Sequence, residues 1–349
     1  MRLLGSGEQH AVDRSTYPRR CLPIGLLHVT SMSKLPYQQV RKVMVSADLA
    51  GQRIDNFLMR ELKDLPRSAI YRILRRGEVR VNGGRTRQTY KLQAGDEVRI
   101  PPVRVRAQSP APKVSAGLGQ TLEQAILYED RDLLVINKPS GLAVHGGSGQ
   151  SLGLIEALRV MRPDQTGLEL VHRLDKPTSG CLLIAKRRSR LRQLHEALRL
   201  GQMRKNYLAL AEGRWPAQLK QVDVPLRKSV LRSGERLVEV REDGKAALSR
   251  FKRVAECAQA TLLNVNIKTG RTHQIRVHAA HSGHPIAGDD KYGNDAFNTA
   301  MMAVGLRRLF LHASHVEVGD LQVTAPLPND LANCLRALNI DPDYVMPPG

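Results

Sequence analysis

Hydrophobic residues recur with a helical period in two short stretches near the front of the chain and with a strand-like period through much of the remainder. Ile54, Phe57, Leu58 and Leu62 share one helical face, which predicts a short amphipathic helix with Asp48 as a candidate cap. Ile70, Ile73 and Leu74 repeat that face within residues 67–76, where Arg67, Arg72, Arg75 and Arg76 take up the polar remainder. Residues 78–82 alternate as a strand does, Asn82-Gly83 supplies a tight hairpin turn, and Glu97 to Ile100 closes a small unit ahead of Pro101-Pro102. Residues 102–120 are rich in Pro, Ala, Ser and Gly and read as a linker that lets the small unit swing. Beyond it, residues 133–137, 168–171, 181–185, 207–212, 237–240, 247–254 and 261–267 predict strands, and 152–161 and 188–200 predict helices. Several strands follow one another without a helix between them, so the fold class expected is α+β, a mixed and largely antiparallel sheet, not a doubly wound one.

These segments divide the chain into an N-terminal extension over 1–45, a small unit over 46–101, the linker, and a large domain over 121–349. Residues 1–40 hold no lasting period and read as a disordered tail. Their apolar stretch 21–29 follows Arg19-Arg20, but Pro23 and His28 interrupt it and no small-residue cleavage site follows, which argues against a signal peptide. Met32 offers a second start, which makes residues 1–31 a candidate upstream extension.

Charge narrows the partners. In 349 residues, 54 Lys and Arg against 33 Asp and Glu leave a formal net charge of +21, spread along most of the length. A polyanion is the natural partner, nucleic acid before an anionic membrane, since no apolar run approaches the roughly 18 residues of a membrane span. Cys21, Cys181, Cys257 and Cys334 show no paired spacing, which fits a reducing cytosol.

The candidate chemistry centres on the run from His172 to Ser179, His-Arg-Leu-Asp-Lys-Pro-Thr-Ser, between two strand-like segments. Its one carboxylate, Asp175, lies among Arg173 and Lys176, so it is expected to be ionised, which suits a nucleophile or base. The same residues also build ordinary turns. Two further stretches bear on it. Lys205-Asn206-Tyr207 opens a strand with a tyrosine in a chain only 4% aromatic, and Gly270 to His278 reads as a helix after a turn, with Ile275 and Val277 packed and the polar residues solvated. Histidines at 273, 278, 281 and 284 raise the question of a metal, but converging acids or cysteines are missing from this spacing. The Gly-rich loop 141–149, which carries His145, lacks a following Gly-Lys-Ser or Gly-Lys-Thr and reads as a rim, not a triphosphate cradle.

Taken together, His172-Arg173-Leu174-Asp175 with Thr178-Ser179-Gly180, the upstream Asn137-Lys138-Pro139-Ser140-Gly141, Lys205 to Tyr207, and Gly270-Arg271-Thr272-His273-Gln274-Ile275-Arg276 resemble the RluA family of pseudouridine synthases. Tyr207 and Arg276 stand 32 and 101 residues after Asp175, intervals similar to those of the family. The stretch 51–101 resembles the RNA-binding domain named after ribosomal protein S-four.

The resemblance implies an isomerase that flips a uridine out of structured ribosomal RNA of the large subunit, breaks its bond to ribose, turns the base and rejoins it through carbon. It implies that Asp175 attacks the sugar or removes a ribose proton, that Arg276 pairs with Asp175, and that Tyr207 stacks on the base and takes the surplus ring proton. Arg173 is implied to fill the vacated space, with a salt bridge or phosphate contact as the other option. His172, Lys138, His145 and Arg271 are expected to bind near the site, and Arg67, Arg72, Arg75 and Arg76 to contact RNA phosphates. The chemistry is intramolecular, so no metal or organic cofactor is expected, and nothing requires more than a cytoplasmic monomer. Two other readings remain: a non-catalytic ribosome-assembly factor, which has no use for a carboxylate in an RNA cleft, and a nucleoside glycosidase, for which a second acid is wanting.

Overall fold

The structure, a computed structural model, describes residues 39–62, 65–103, 114–146, 152–230 and 236–343. The expected tail with Met32, residues 104–113 of the expected linker and residues 147–149 of the Gly-rich loop lie outside the described residues. The chain divides into two units, Met1–Ser109 and Pro110–Gly349.

In the first unit, β1 (Arg41–Met44) is followed by α1 (Ile54–Glu61), α2 (Arg67–Arg75), β2 (Arg80–Val81), β3 (Gly84–Arg85) and β4 (Glu97–Ile100). The strands form one antiparallel sheet in the order β1-β4-β2-β3. Asn82 and Gly83 both have positive φ, 50° and 77°, the turn whose twist matches a hairpin. Ile54, Phe57, Leu58, Ile70, Ile73 and Leu74 meet in one buried cluster, as the helical period required.

Two expectations fail here. The boundary at residue 46 cut off β1, which pairs with β4 along its whole length; its four residues alternate too briefly to announce a strand. Asp48 falls within a short 3-10 turn, Ala47–Leu49, and the residue that precedes α1 is Arg53, not Asp48. Asp55 is the carboxylate at that helix start. It accepts the Asn56 backbone N–H, both guanidinium arms of Arg53 and the Tyr71 hydroxyl of α2, bracing the two helices together.

The second unit opens with α3 (Ala116–Gln124), β5 (Ile126–Glu129) and β6 (Leu133–Lys138), then α4 (Leu154–Met161), β7 (Glu169–Leu170), β8 (Ser179–Ala185) and α5 (Arg188–Arg199). Next come β9 (Arg204–Glu212), β10 (Gln221–Asp223), β11 (Leu226–Val230), β12 (Arg236–Val240), β13 (Leu248–Glu256) and β14 (Ala260–Ile267). The chain finishes with α6 (Gln274–His281), α7 (Asp295–Ala303), β15 (Leu311–Val318), β16 (Leu321–Thr324) and α8 (Asn329–Ala337). Helix α3 occupies part of the expected linker. Gly117 and Gly119 disguise it, but the Ser115 hydroxyl accepts the Leu118 N–H as a cap and Leu122 anchors it in the core.

The sheet runs β10-β13-β14-β9-β15-β8-β6-β5, with β16 on β15 and β7 on β8, and every described pairing in it is antiparallel except β8 with β15. This is the mixed, largely antiparallel sheet the strand order called for. Its central strands are buried on both faces. In β6, Leu134 and Ile136 join a core with α4 and α8 while Leu133 and Val135 join another with α5; in β8, Leu182 and Ile184 part in the same way from Cys181, Leu183 and Ala185. A separate pair, β11 with β12, stands apart as a two-stranded hairpin.

Candidate active site

Asp175 sits on the bend between β7 and β8, and the bend is fixed by bonds from both ends. Leu174 is buried in the core, and the Thr178 N–H returns to the Asp175 carbonyl at 3.1 Å. The Gly141 N–H donates to the Lys176 carbonyl at 2.9 Å, and the Ser140 hydroxyl to the Pro177 carbonyl at 2.7 Å. Lys138 completes the brace: its ammonium donates to the carbonyls of Pro139 and Leu142 at 2.8 Å and of Lys176 at 3.2 Å.

At Gly180 the bend enters the parallel seam. Its φ is +111°, and a Cβ there would stand 2.2 Å from the Ala313 carbonyl oxygen, so only glycine lets β15 approach. One residue earlier, the Ser179 hydroxyl bonds His312 Nδ1 at 2.9 Å and accepts from Arg308, which also binds Asp330.

Asp175 opens into a cavity of about 400 Å³. Arg173, Arg199, Lys205, Lys268, Arg271 and Arg276 line it, and Asp175 is its single acid. His172, Tyr207 and His273 are in the lining too. Thus the geometry brings Asp175, Tyr207, Arg276, Arg173, His172 and Arg271 to one cleft. It leaves out Lys138 and His145.

Lys138 is fully buried, with its three protons directed at three carbonyls. It holds the loop and lies outside the lining of the cavity, where a substrate contact was expected. Burial draws its ammonium down to about 7, an effect that Asp175 opposes and Arg308 assists. His145 is exposed, with Nδ1 3.9 Å from a Glu156 carboxylate oxygen, away from the cavity lining. His172 lines the cavity, but its Nε2 accepts the Leu183 backbone N–H at 3.3 Å, and burial, aided by the charge of Lys205, pushes it down to about 3. It is therefore a neutral brace for the strand.

Tyr207 is 5% exposed, and burial, then the charge of Asp175, push its phenol above its ordinary value. The phenol keeps its proton at neutral pH, so it offers a flat ring and a hydroxyl donor, not a phenolate base. The guanidinium of Arg276 is bound by two carboxylates of the loop after its helix. Its Nε donates to Asp289 at 2.7 Å, and one terminal nitrogen to Asp289 at 2.5 Å and Asp290 at 3.0 Å. Burial opposes the Arg276 charge, and the Asp289 bonds and charge, followed by the charges of Asp175 and Asp290, more than offset it, holding the guanidinium above its usual value.

Helix α6 buries more polar groups than its pattern suggested. Gln274 joins Thr269, the Arg271 N–H, Leu248 and Ser249, and His278 bonds Ser249 and the Val224 carbonyl, so these residues are packed and satisfied, not solvated. His284 bonds the Glu212 carbonyl. In the first unit, Arg67, Arg72, Arg75 and Arg76 are all exposed along α2, opposite its buried face.

The sequence relatives decide the family. The RNA pseudouridylate synthase family profile matches residues 132–281, and the S4 domain profile residues 52–98. Over 307 residues the chain is 54% identical to "Ribosomal large subunit pseudouridine synthase C" of Yersinia pestis, covering 86% of this chain and 96% of the relative. The protein of the same name from Escherichia coli (strain K12) is also 54% identical, over 309 residues that cover 86% and 97%. This chain belongs to the RNA pseudouridylate synthase family.

Solved structures agree with the fold of this pseudouridylate synthase. Human RNA Pseudouridylate Synthase Domain Containing 4 is 26% identical with a TM-score of 0.54, covering 64% of this chain and 96% of that one. The human protein Domain Containing 1 gives 26% and 0.52, covering 63% and 90%. Several groups in the cleft of the synthase had no role assigned from sequence. Lys205 was visible in the Lys-Asn-Tyr motif, and burial in the cleft lowers it to about 8. His273 was visible in the Gly-Arg-Thr-His run, yet only the structure shows its Nε2 to be 4.0 Å from Asp175 Oδ2. The partnership of Arg276 with Asp289 had no sequence signal, since Asp289 lies in an aperiodic loop.

Proposed function

We propose that this chain converts particular uridines of large-subunit ribosomal RNA to pseudouridine, acting as a monomer in the cytoplasm with the S4 unit holding the RNA. One observation carries the reading at the site: a cleft in which Asp175 is the sole acid among six Lys and Arg side chains. The cations suit a phosphodiester strand and one flipped nucleotide. A hydrolase that activates water would use a second carboxylate, and the lining of this cleft has none.

In the proposed reaction Asp175 acts on the ribose, by attack at the anomeric carbon or by removing a neighbouring proton that it returns as the new bond forms, and the bond from carbon to the base nitrogen breaks. The uracil turns on the Tyr207 ring, and its fifth carbon bonds the anomeric carbon. The proton on that ring carbon then leaves to a base, for which the freed Asp175 carboxylate is placed, and the ring nitrogen gains one. The atoms of uridine are all retained. Arg173, exposed at the rim, fills the space that the flipped base leaves, and Arg271 contacts the strand. Arg67, Arg72, Arg75 and Arg76 contact phosphates elsewhere on the RNA.

The test is a map of pseudouridine on unmodified large-subunit ribosomal RNA after incubation with the protein, with Asp175→Ala alongside. New pseudouridine at a few discrete positions, absent with the variant, supports the reading. Tight salt-sensitive binding without conversion by the wild type would sink it.

A further inference from the structure

With Arg276 turned toward Asp289, a histidine is the side chain drawn up to the reactive carboxylate. His273 Nε2 and Asp175 Oδ2 are 4.0 Å apart, with both side chains about five-sixths covered, 15% and 16% exposed. The second ring nitrogen of His273, Nδ1, is 2.8 Å from the Tyr292 hydroxyl. That hydroxyl oxygen also accepts the Val238 backbone N–H at 2.9 Å.

These contacts suit one tautomer. The Val238 N–H donates to the phenol oxygen and leaves the Tyr292 O–H to donate to Nδ1, the arrangement that puts the imidazole proton on Nε2, the nitrogen that faces Asp175. Burial holds His273 below its ordinary value; Asp175 opposes this, Arg276 assists, Asp289 opposes and Lys291 assists, and the ring is neutral near pH 7. A neutral ring protonated on Nε2 is a hydrogen-bond donor to the carboxylate and not a base.

The backbone adds an independent sign. His273 has φ 53° and ψ 20°, a left-handed conformation at the residue preceding α6. Such a conformation is strained for a non-glycine residue, and it persists where the surroundings enforce it. Here the enforcing contacts are those of the loop after α6. Asp289, pinned by Arg276, accepts the Lys291 and Tyr292 N–H groups at 2.9 and 3.1 Å and so sets Tyr292 in place. Arg276 also lies 5.1 Å from the centre of the Tyr292 ring.

We infer that His273 is a positioning residue: a neutral Nε2–H donor, its tautomer set by Tyr292, that closes on one oxygen of Asp175 when substrate enters and leaves the other aimed at the ribose. The present separation exceeds a hydrogen bond by about 1 Å, a gap of the kind that substrate binding closes. The inference rests on the pseudouridine-forming reading of the cleft. It gives the Arg276–Asp289 pair a part as well, since that pair anchors Tyr292.

Three variants of the full chain test it: His273→Asn, His273→Gln and Tyr292→Phe. Asparagine tolerates the left-handed backbone but its amide reaches only the Nδ1 position, whereas glutamine extends an N–H toward that of Nε2. Single-turnover conversion of large-subunit ribosomal RNA, RNA affinity and melting temperature are measured for each. His273→Asn is expected to slow conversion about 100-fold with affinity within about threefold, and His273→Gln to recover about tenfold of that loss. Tyr292→Phe is expected to cost about tenfold alone and nothing further beside His273→Asn, the signature of two groups acting in one chain. Wild-type conversion by a normally folded His273→Asn protein would overturn the inference. So would a Gln variant of wild-type melting temperature that converts no faster than Asn, or a Tyr292→Phe effect that persists undiminished in the Asn background. Failure of the wild type to make pseudouridine overturns the underlying reading as well, and is thereby told apart from failure of His273 alone.

Discussion

Tyr207 and Lys138 show how residues on either side of the cleft wall divide the work. Because the phenol of Tyr207 stays protonated, Tyr207→Phe keeps the ring and loses one donor. RNA affinity is expected to hold while conversion falls about 100-fold, read from single-turnover rates. Lys138→Met should leave the three carbonyls beneath the bend short of donors. A loss of about 2–3 kcal/mol in urea unfolding is expected, with RNA affinity little changed because Lys138 never faces the cleft. Asp175 stood out in the sequence through the resemblance of its motif together with those of Tyr207 and Arg276, since turn residues and flanking cations alone also build an ordinary turn. Lys138 did not, since a lysine before Pro-Ser-Gly reads as a solvated loop residue, and only the convergence of Pro139, Leu142 and Lys176 reveals it as a brace. The bonds from Arg276 to Asp289 and Asp290 could not be read from sequence, because ion pairing between a helix and an irregular loop leaves no periodic trace.

Elements with a strong period were read well and those without were not. Helices α1 and α2 and strands β6, β8, β9 and β14 follow from apolar spacing alone, whereas β1 is too short and α3 too rich in glycine to declare themselves. The seam between β8 and β15 is beyond sequence reasoning, since parallel pairing between segments so distant depends on the whole sheet. Its packing makes a sharp demand at Gly180. Gly180→Ala is expected to destabilise the second unit by more than about 2 kcal/mol, measured as a drop in the urea midpoint, because the added carbon meets backbone and not a side chain that could move. On α2, replacing Arg67, Arg72, Arg75 and Arg76 together with Gln is expected to weaken RNA binding and to reduce the slope of log affinity against log salt by about 3, if each contacts one phosphate. An unchanged slope would remove these four from the interface.

The molecule as a whole combines a large positive charge with buried histidines that stay neutral. His278 and His312 are fully buried, and burial draws each down to about 4. In the unfolded chain both protonate near 6.5, so between about pH 6.5 and 4 the unfolded state holds more protons. Their contribution to stability is complete above pH 6.5 and is lost as pH falls through 4, at up to about 1.4 kcal/mol per pH unit for each. Urea midpoints at pH 7 and pH 5 check the sign, and His312→Gln should flatten the difference.

The Ser179–His312 bond joins residues 133 positions apart in the chain. A ribosome making this protein therefore releases Asp175 long before it releases the strand that completes the seam beside it. Closing so long a loop is entropically slow, and the reward comes only when β15 docks. A chain interrupted before Phe310 would carry the whole His-Arg-Leu-Asp signature with no seam to hold it, and truncation there is expected to abolish conversion of ribosomal RNA even though every residue of that signature is present.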